Sequence, residues 1–138
     1  MKIKDLDGNQ HIWSLKGYGI GAGICSLVPE HKSSLHLAAR KLLQELYPTL
    51  IILEEVPIRI HRNENLYLDF YLPLRKMAIE VNGEQHFKYI PHFHHTLNAY
   101  MKSRKRDEDK KTWCDINNIT LIEFPYNESV DEWKNKLQ

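Results

Sequence analysis

Residues 66–87, LYLDFYLPLRKMAIEVNGEQHF, most constrain the fold, because they carry two apolar alternations separated by only a few residues. Leu66, Leu68, Phe70 and Leu72 alternate with Tyr67, Asp69 and Tyr71; Met77, Ile79 and Val81 alternate with Ala78, Glu80 and Asn82. A period of two sends successive side chains to opposite faces of a strand, so each run predicts a half-buried strand with its acid opposite the apolar stripe. The break at Pro73 and Leu74 is too short for a crossover, which predicts an antiparallel pair. Asp69 and Glu80 then meet on one face, beside Asn82 and His86. Two carboxylates about 4 Å apart repel by roughly 4 kcal/mol at an effective dielectric near 20, so a pair that does not simply face water is held by a proton or a cation.

The flanking sequence supplies the remaining elements. Residues 2–15 read as a hairpin turning at Asp7-Gly8-Asn9, an accessory ribbon. Gly17, Gly19, Gly21 and Gly23 follow; without a Gly-Lys-Ser/Thr sequence they read as a connector and not as a phosphate loop. Ser33 or Ser34 caps a helix with Leu35, Ala39, Leu42 and Leu46 at helical spacing, ending before Pro48. Residues 50–56, LIILEEV, between Pro48 and Pro57, predict a first core strand. Residues 97–116 have the length and composition of a long helix, residues 119–124 predict another strand, and residues 129–137 a final helix presenting Val130, Trp133 and Leu137 on one side. Trp113 and Trp133 read as core residues. The predicted order is hairpin, α, β, β, β, α, β, α.

A chain of 138 residues with 42% hydrophobic and 27% charged residues supports one compact domain with a real core. Residues 1–32 are assigned to the hairpin and connector, and residues 33–138 to the core. No apolar run reaches membrane-span length and the first ten residues lack a signal peptide's apolar segment, so no membrane partner and a cytoplasmic location are expected, with which a bacterial or phage-infected host cell is compatible. Cys25 and Cys114 show no CxxC spacing and read as reduced thiols. A net charge of +1 gives no global case for nucleic acid, but residues 102–111, KSRKRDEDKK, carry six basic and three acidic side chains on the predicted long helix. Lys102, Arg104, Lys105 and Arg106 are the candidate phosphate contacts, against the plainer reading of a solvated face.

The order α-β-β-β-α-β, with Asp69 in the second strand and Glu80-x-Asn82 in the third, resembles the restriction-endonuclease-like PD-(D/E)XK nucleases. The segments LDFYLP, IEVNGEQHF and RDEDKKTWCDINNITLIEFPYNE are similar to the branch containing very-short-patch repair endonucleases and EDxHD homing endonucleases. The resemblance spans residues 33 to about 128. It implies a mixed central sheet flanked by helices, DNA as partner, and hydrolysis of phosphodiester bonds with Mg2+ or Mn2+. It further implies that Asp69 and Glu80 ligate the metal, with the Val81 carbonyl as a third oxygen, and that His86 and Asp107 belong to the site. Oxygen ligands suit such hard cations.

The chain departs from that pattern at Asn82, where the wider superfamily carries a lysine. Lys110, one helical turn beyond Asp107, and His86 are the candidates to compensate. In the first helix relatives tend to carry an acid, and this chain offers His36, for which an exposed helix histidine is the plainer reading. Glu55 is a further candidate for the missing acid, with Glu54 facing the other way, and Gln85 lies within the same segment. His86, His92, His94 and His95 together with Cys114 invite zinc, but with no paired-cysteine spacing a His-rich loop near DNA is the preferred reading. Tyr89, Phe93 and Tyr100 are candidate stacking aromatics. The alternative function is a noncatalytic nucleic-acid-binding module on the same fold. Monomer and homodimer both fit the sequence.

Overall fold

The computed structural model describes residues 2–15, 18, 33–83 and 96–137. The Gly-rich connector from Gly19 on, Gln85, His86, the remaining His-rich segment, Tyr89, Phe93 and Cys25 lie outside the described residues. The elements are β1 (Lys2–Lys4), β2 (Gln10–Ile12), α1 (Ser34–Leu46), β3 (Leu53–His61), β4 (Glu64–Leu72), β5 (Met77–Asn82), α2 (Leu97–Ile116), β6 (Thr120–Pro125) and α3 (Val130–Lys136). β1 and β2 form an antiparallel ribbon, and the remaining strands form one mixed sheet in the order β3-β4-β5-β6. β3, β4 and β5 run antiparallel in turn, whereas β5 and β6 are parallel. A parallel pair needs a long crossover, and the connection from β5 to β6 contains α2.

The caps explain where the helices begin. Ser33 accepts from the His36 amide, Thr96 from the Ala99 amide, and Ser129 from the Glu132 amide while Glu132 returns a bond to Ser129 N–H. Between β4 and β5 the chain turns through a 3-10 segment, Pro73–Arg75, and Lys76 in the left-handed region at φ 47°. The predicted antiparallel pair is formed, with Phe70 opposite Ile79 and Leu72 opposite Met77.

The sheet is covered on both sides. One apolar cluster joins Ile3 and Trp13 of the ribbon region to Val56, Ile58, Leu68, Tyr71 and Ala78 of the sheet and Trp113 of α2. The other joins Ala39, Leu42 and Leu43 of α1 to Phe70, Leu72, Ile79, Phe124 and Trp133. In β5 the alternation is clean, with Ala78 in the first cluster and Met77 and Ile79 in the second. The single stripe predicted for β4 is corrected: Leu66 and Leu68 join the first cluster, Phe70 and Leu72 the second. β3 slips in the same way, with Leu53 and Val56 in one cluster although three residues apart. The slip coincides with Glu55, whose φ of 54° turns the strand through the left-handed region.

Two further expectations are corrected. The first core strand begins at Leu53, not residue 50, and runs through Pro57 to His61. β3 lies at the edge of the sheet, where a missing N–H is tolerated. The Pro57 carbonyl faces away from the ladder, accepting from Trp13 Nε1–H at 2.9 Å. On either side, Glu54 N–H donates to the Tyr18 carbonyl and Leu6 N–H to the Ile60 carbonyl. The N-terminal ribbon is therefore a packing element, with Trp13 edge-on to Trp113 at 5.1 Å between ring centroids. In α3, Trp133 and Leu137 are buried as predicted, but Val130 is exposed.

Leu43 is fully buried between α1 and the sheet, whereas Leu37, on the same helix, is 43% exposed. Leu43→Ala is expected to cost about 2–5 kcal/mol in urea unfolding, and Leu37→Ala to stay within about 0.5 kcal/mol of the parent. Equal costs would contradict the placement of α1 on the sheet.

Candidate functional site

The site begins where two strands stop pairing. β4 and β5 pair only as far as Phe70 and Ile79, while β5 continues beside β6 to Asn82 and β4 continues beside β3 to Glu64. At this fork the Val81 amide, deprived of a ladder carbonyl, donates to Asp69 Oδ2 at 2.8 Å. The side chain thus replaces a backbone acceptor and is held in place by doing so. Glu55 stands opposite Asp69 between the pairs Glu54–Phe70 and Val56–Leu68, and Glu80 lies one residue beyond Ile79. Three acids therefore line one rank across three strands.

Glu80 is buried at 6% exposure, and its Oε1 lies 3.2 Å from Lys110 Nζ of α2 without an aligned hydrogen bond. Burial pushes the Glu80 carboxyl well above the usual range. The Asp69 charge adds to the rise, as does a hydrogen bond shared with Asp69, and the Lys110 ammonium opposes it without cancelling it. Burial under α2, with the Glu80 charge, pushes the Cys114 thiol up to about 12.

A second set of groups approaches Asp69 from α1. His36, Glu55 and Asp69 each offer one ligand atom within 4.8 Å of the others. His36 is buried at 6% exposure, which corrects the expectation of an exposed helix histidine. Its ring stacks on Phe70 at 4.6 Å between centroids, and its Nε2 bonds Glu54 Oε1. Arg40 donates to the same Glu54 oxygen at 2.7 Å. Burial raises the Glu54 carboxyl, but the bonds and charges of His36 and Arg40 outweigh it and hold it below its ordinary value. The expectation that Glu54 faces away from the site is corrected, since it bonds His36, and Arg40 is a residue the sequence reading did not name. The i, i+4 spacing of His36 and Arg40 is the signal that places both on one face of α1.

The structure thus brings together Asp69, Glu80, Lys110, His36 and Glu55. Asn82 is buried beyond Glu80, its carbonyl accepting from Tyr126 N–H at 2.8 Å. The Val81 amide makes the contact with Asp69. Asp107 is half-buried, one turn before Lys110 on α2. Lys102, Arg104, Lys105 and Arg106 are exposed on α2, with Lys105 bridging to the buried Asp109 at 3.0 Å. Lys102, Arg106 and Lys110 follow at intervals of four residues, so they form one stripe leading along the helix to Glu80. No helix among the described residues is long and apolar enough to cross a membrane.

No family model matches the chain. No solved structure matches it. It is similar to the uncharacterized protein 307L of Invertebrate iridescent virus 6, at 50% identity over 64 residues that make up 46% of this chain and 32% of that protein. It is also similar to the uncharacterized protein 033L of Invertebrate iridescent virus 3, at 39% identity over 45% of this chain and 32% of that protein. A third relative, the uncharacterized protein 094L of Frog virus 3, is 40% identical over 44% of this chain and 40% of its own length. The match spans 32–40% of these relatives' length.

The raised Glu80 carboxyl has a consequence for stability. The native chain holds a proton there that the unfolded chain releases once the pH exceeds about 4.5, so Glu80 lowers stability progressively as the pH rises from that value toward its folded-state one. Glu80→Gln removes that penalty. In chelator-containing buffer its urea midpoint is expected to exceed the parent's by a margin that widens as the pH rises above about 4.5. A margin that narrows over that range would show that Glu80 is not held protonated.

Proposed function

We propose that the protein is a metal-dependent DNA endonuclease of the restriction-endonuclease-like PD-(D/E)XK type, hydrolysing phosphodiester bonds. One observation carries the reading: Asp69 and Glu80 meet at the fork of the sheet with Lys110 Nζ 3.2 Å from Glu80. The order α1, β3, β4, β5, α2, β6 supports it as the core of that fold. So does the segment resemblance to very-short-patch repair and EDxHD homing endonucleases. The residue that departs from the family pattern, Asn82, has its missing charge supplied from the long helix by Lys110.

The donors fit a hard divalent cation such as Mg2+ or Mn2+. Asp69 and Glu80 provide carboxylate oxygens, and Glu80 Oε1 is a buried acceptor without an aligned donor. A bound cation supplies charge neutralisation at the phosphoryl oxygens and an acidified water. The chain's own residues do the rest. Asp69 is fixed in orientation by the Val81 amide, so its remaining oxygen is presented without a search through rotamers. Lys110 counters the negative charge that accumulates beside Glu80 as phosphate approaches. Lys102 and Arg106, spaced at about 6 Å steps along the axis of α2, extend that positive row outward toward a nucleic-acid backbone. His86 and Gln85 enter through the family resemblance alone.

Asp69→Asn preserves the volume and removes the charge. It is expected to reduce cleavage of duplex, mismatched or branched DNA in Mg2+ or Mn2+ by more than about 100-fold, the upper end of what the loss of a mere supporting group costs at a metal site. Circular dichroism should be unchanged. Full activity in this variant would remove Asp69 from the site. Absence of cleavage by the parent on every substrate, with salt-sensitive DNA binding that ignores metal, would instead select the noncatalytic binding module that Asn82 favours.

A further inference from the structure

We propose that His36, Glu55 and Asp69 form a second cation position that prefers a borderline transition ion of the Mn2+ and Co2+ class over Mg2+. The group is not merely acidic: two carboxylates and a buried imidazole offer ligand atoms within 4.8 Å of one another. Imidazole nitrogen suits transition ions, while Mg2+ favours oxygen and retains its waters. The donor set therefore discriminates by chemistry as well as by charge.

The surroundings of His36 carry the proposal further than the cluster alone. Glu54 lies outside the cluster and is buried, and it takes Nε2 of the ring. A neutral ring that donates its Nε2 proton to that carboxylate carries its lone pair on Nδ1, which would then be the ligating nitrogen. A carboxylate behind a histidine is the usual device for fixing the tautomer and orientation of a metal-ligating ring. Here the device is itself anchored, because Arg40 donates to the same Glu54 oxygen. Phe70, stacked on the ring, restrains rotation from the other side. A histidine whose task was only to fill space would need neither the buried acid nor the guanidinium behind it. Glu54 and Arg40 act through His36 and are positioning residues.

The inference extends the reading of this cleft as a cation site, but its test measures binding and not turnover. Asp69 would be shared by both positions, whereas Glu80 belongs to one and His36 and Glu55 to the other. The full chain is titrated with CoCl2, MnCl2 and MgCl2 by calorimetry, and the visible absorption of bound Co2+ is recorded. The parent is expected to bind Co2+ with an imidazole-type spectrum. His36→Gln and Glu54→Gln should each weaken Co2+ at least tenfold, the scale on which ligand and supporting groups act, with Mg2+ affinity retained. Glu55→Gln keeps the size of a half-buried side chain, and it should weaken Co2+ in the same direction. Co2+ affinity and spectrum unchanged in Glu55→Gln and in a folded His36→Gln would overturn the proposal, as would parallel loss of Mg2+ and Co2+ in both. Cleavage lost in Asp69→Asn with Co2+ binding unaffected by His36→Gln sinks this inference and leaves the endonuclease reading standing. Selective Co2+ binding without cleavage does the reverse.

Discussion

The hydrogen bond from the Val81 amide to Asp69 is the interaction on which the arrangement turns. β4 must leave β5 to open a cleft in the middle of a sheet, and that separation orphans backbone groups in a largely buried place. A single carboxylate resolves the orphaned amide and is simultaneously immobilised. Everything else at the cleft is arranged around that fixed acid: Glu80 on β5, Glu55 across β3, His36 from α1 and Lys110 from α2. Four elements that are separated in the chain are thereby obliged to meet, and the packing of α1 and α2 on opposite faces of the sheet keeps the meeting point at its centre.

The cleft is also where local rules are broken. Glu55, a non-glycine residue in a strand, adopts a positive φ; Glu80 is buried beside another acid; His36, Glu54 and Arg40 form a polar group within an apolar layer. Each departure works against stability unless it is compensated, and such departures cluster at functional sites. The compensation is visible in part. Arg40 answers Glu54, and Lys110 answers Glu80, whereas the repulsion between Asp69 and Glu80 is left to a proton. A cation would relieve that repulsion more fully, which is why electrostatics and the proposed chemistry point the same way.

Much of this was legible in the sequence, for identifiable reasons. The antiparallel pair and the long helix follow from unbroken periodicity and from turn residues at their ends, and the observed bounds of α2 coincide with those predicted. Asp69, Glu80, Lys110, His36 and Glu55, which the sequence marks as able to carry chemistry, are residues that the fold brings near one another. The slip in β3 and β4 was hidden, because Leu66 to Leu72 alternate without a fault and the change of face arises from Glu55, on a different strand. The extent of β3 was hidden by Pro57, which marks an end inside a sheet but is accommodated at its edge. The burial of His36 depends on Glu54 of β3 reaching its ring from another element, a tertiary fact that no local pattern encodes.

The bonds of the N-terminal segment to β3 bear on something other than the cleft. A sheet of four strands has two outer edges, and an uncovered one is a template on which a second chain can add a strand. Tyr18 takes the Glu54 amide, Trp13 and Leu6 take the Pro57 and Ile60 carbonyls of β3, and Pro57 removes one donor permanently. At the opposite edge, Lys136 Nζ donates to the Glu123 carbonyl of β6 and Lys111 pairs with the Glu123 carboxylate. The two margins therefore differ: the β3 edge has several of its backbone groups taken up by the N-terminal segment, whereas along β6 Lys136 covers the Glu123 carbonyl beside an open pocket lined by Thr120, Leu121 and Ile122.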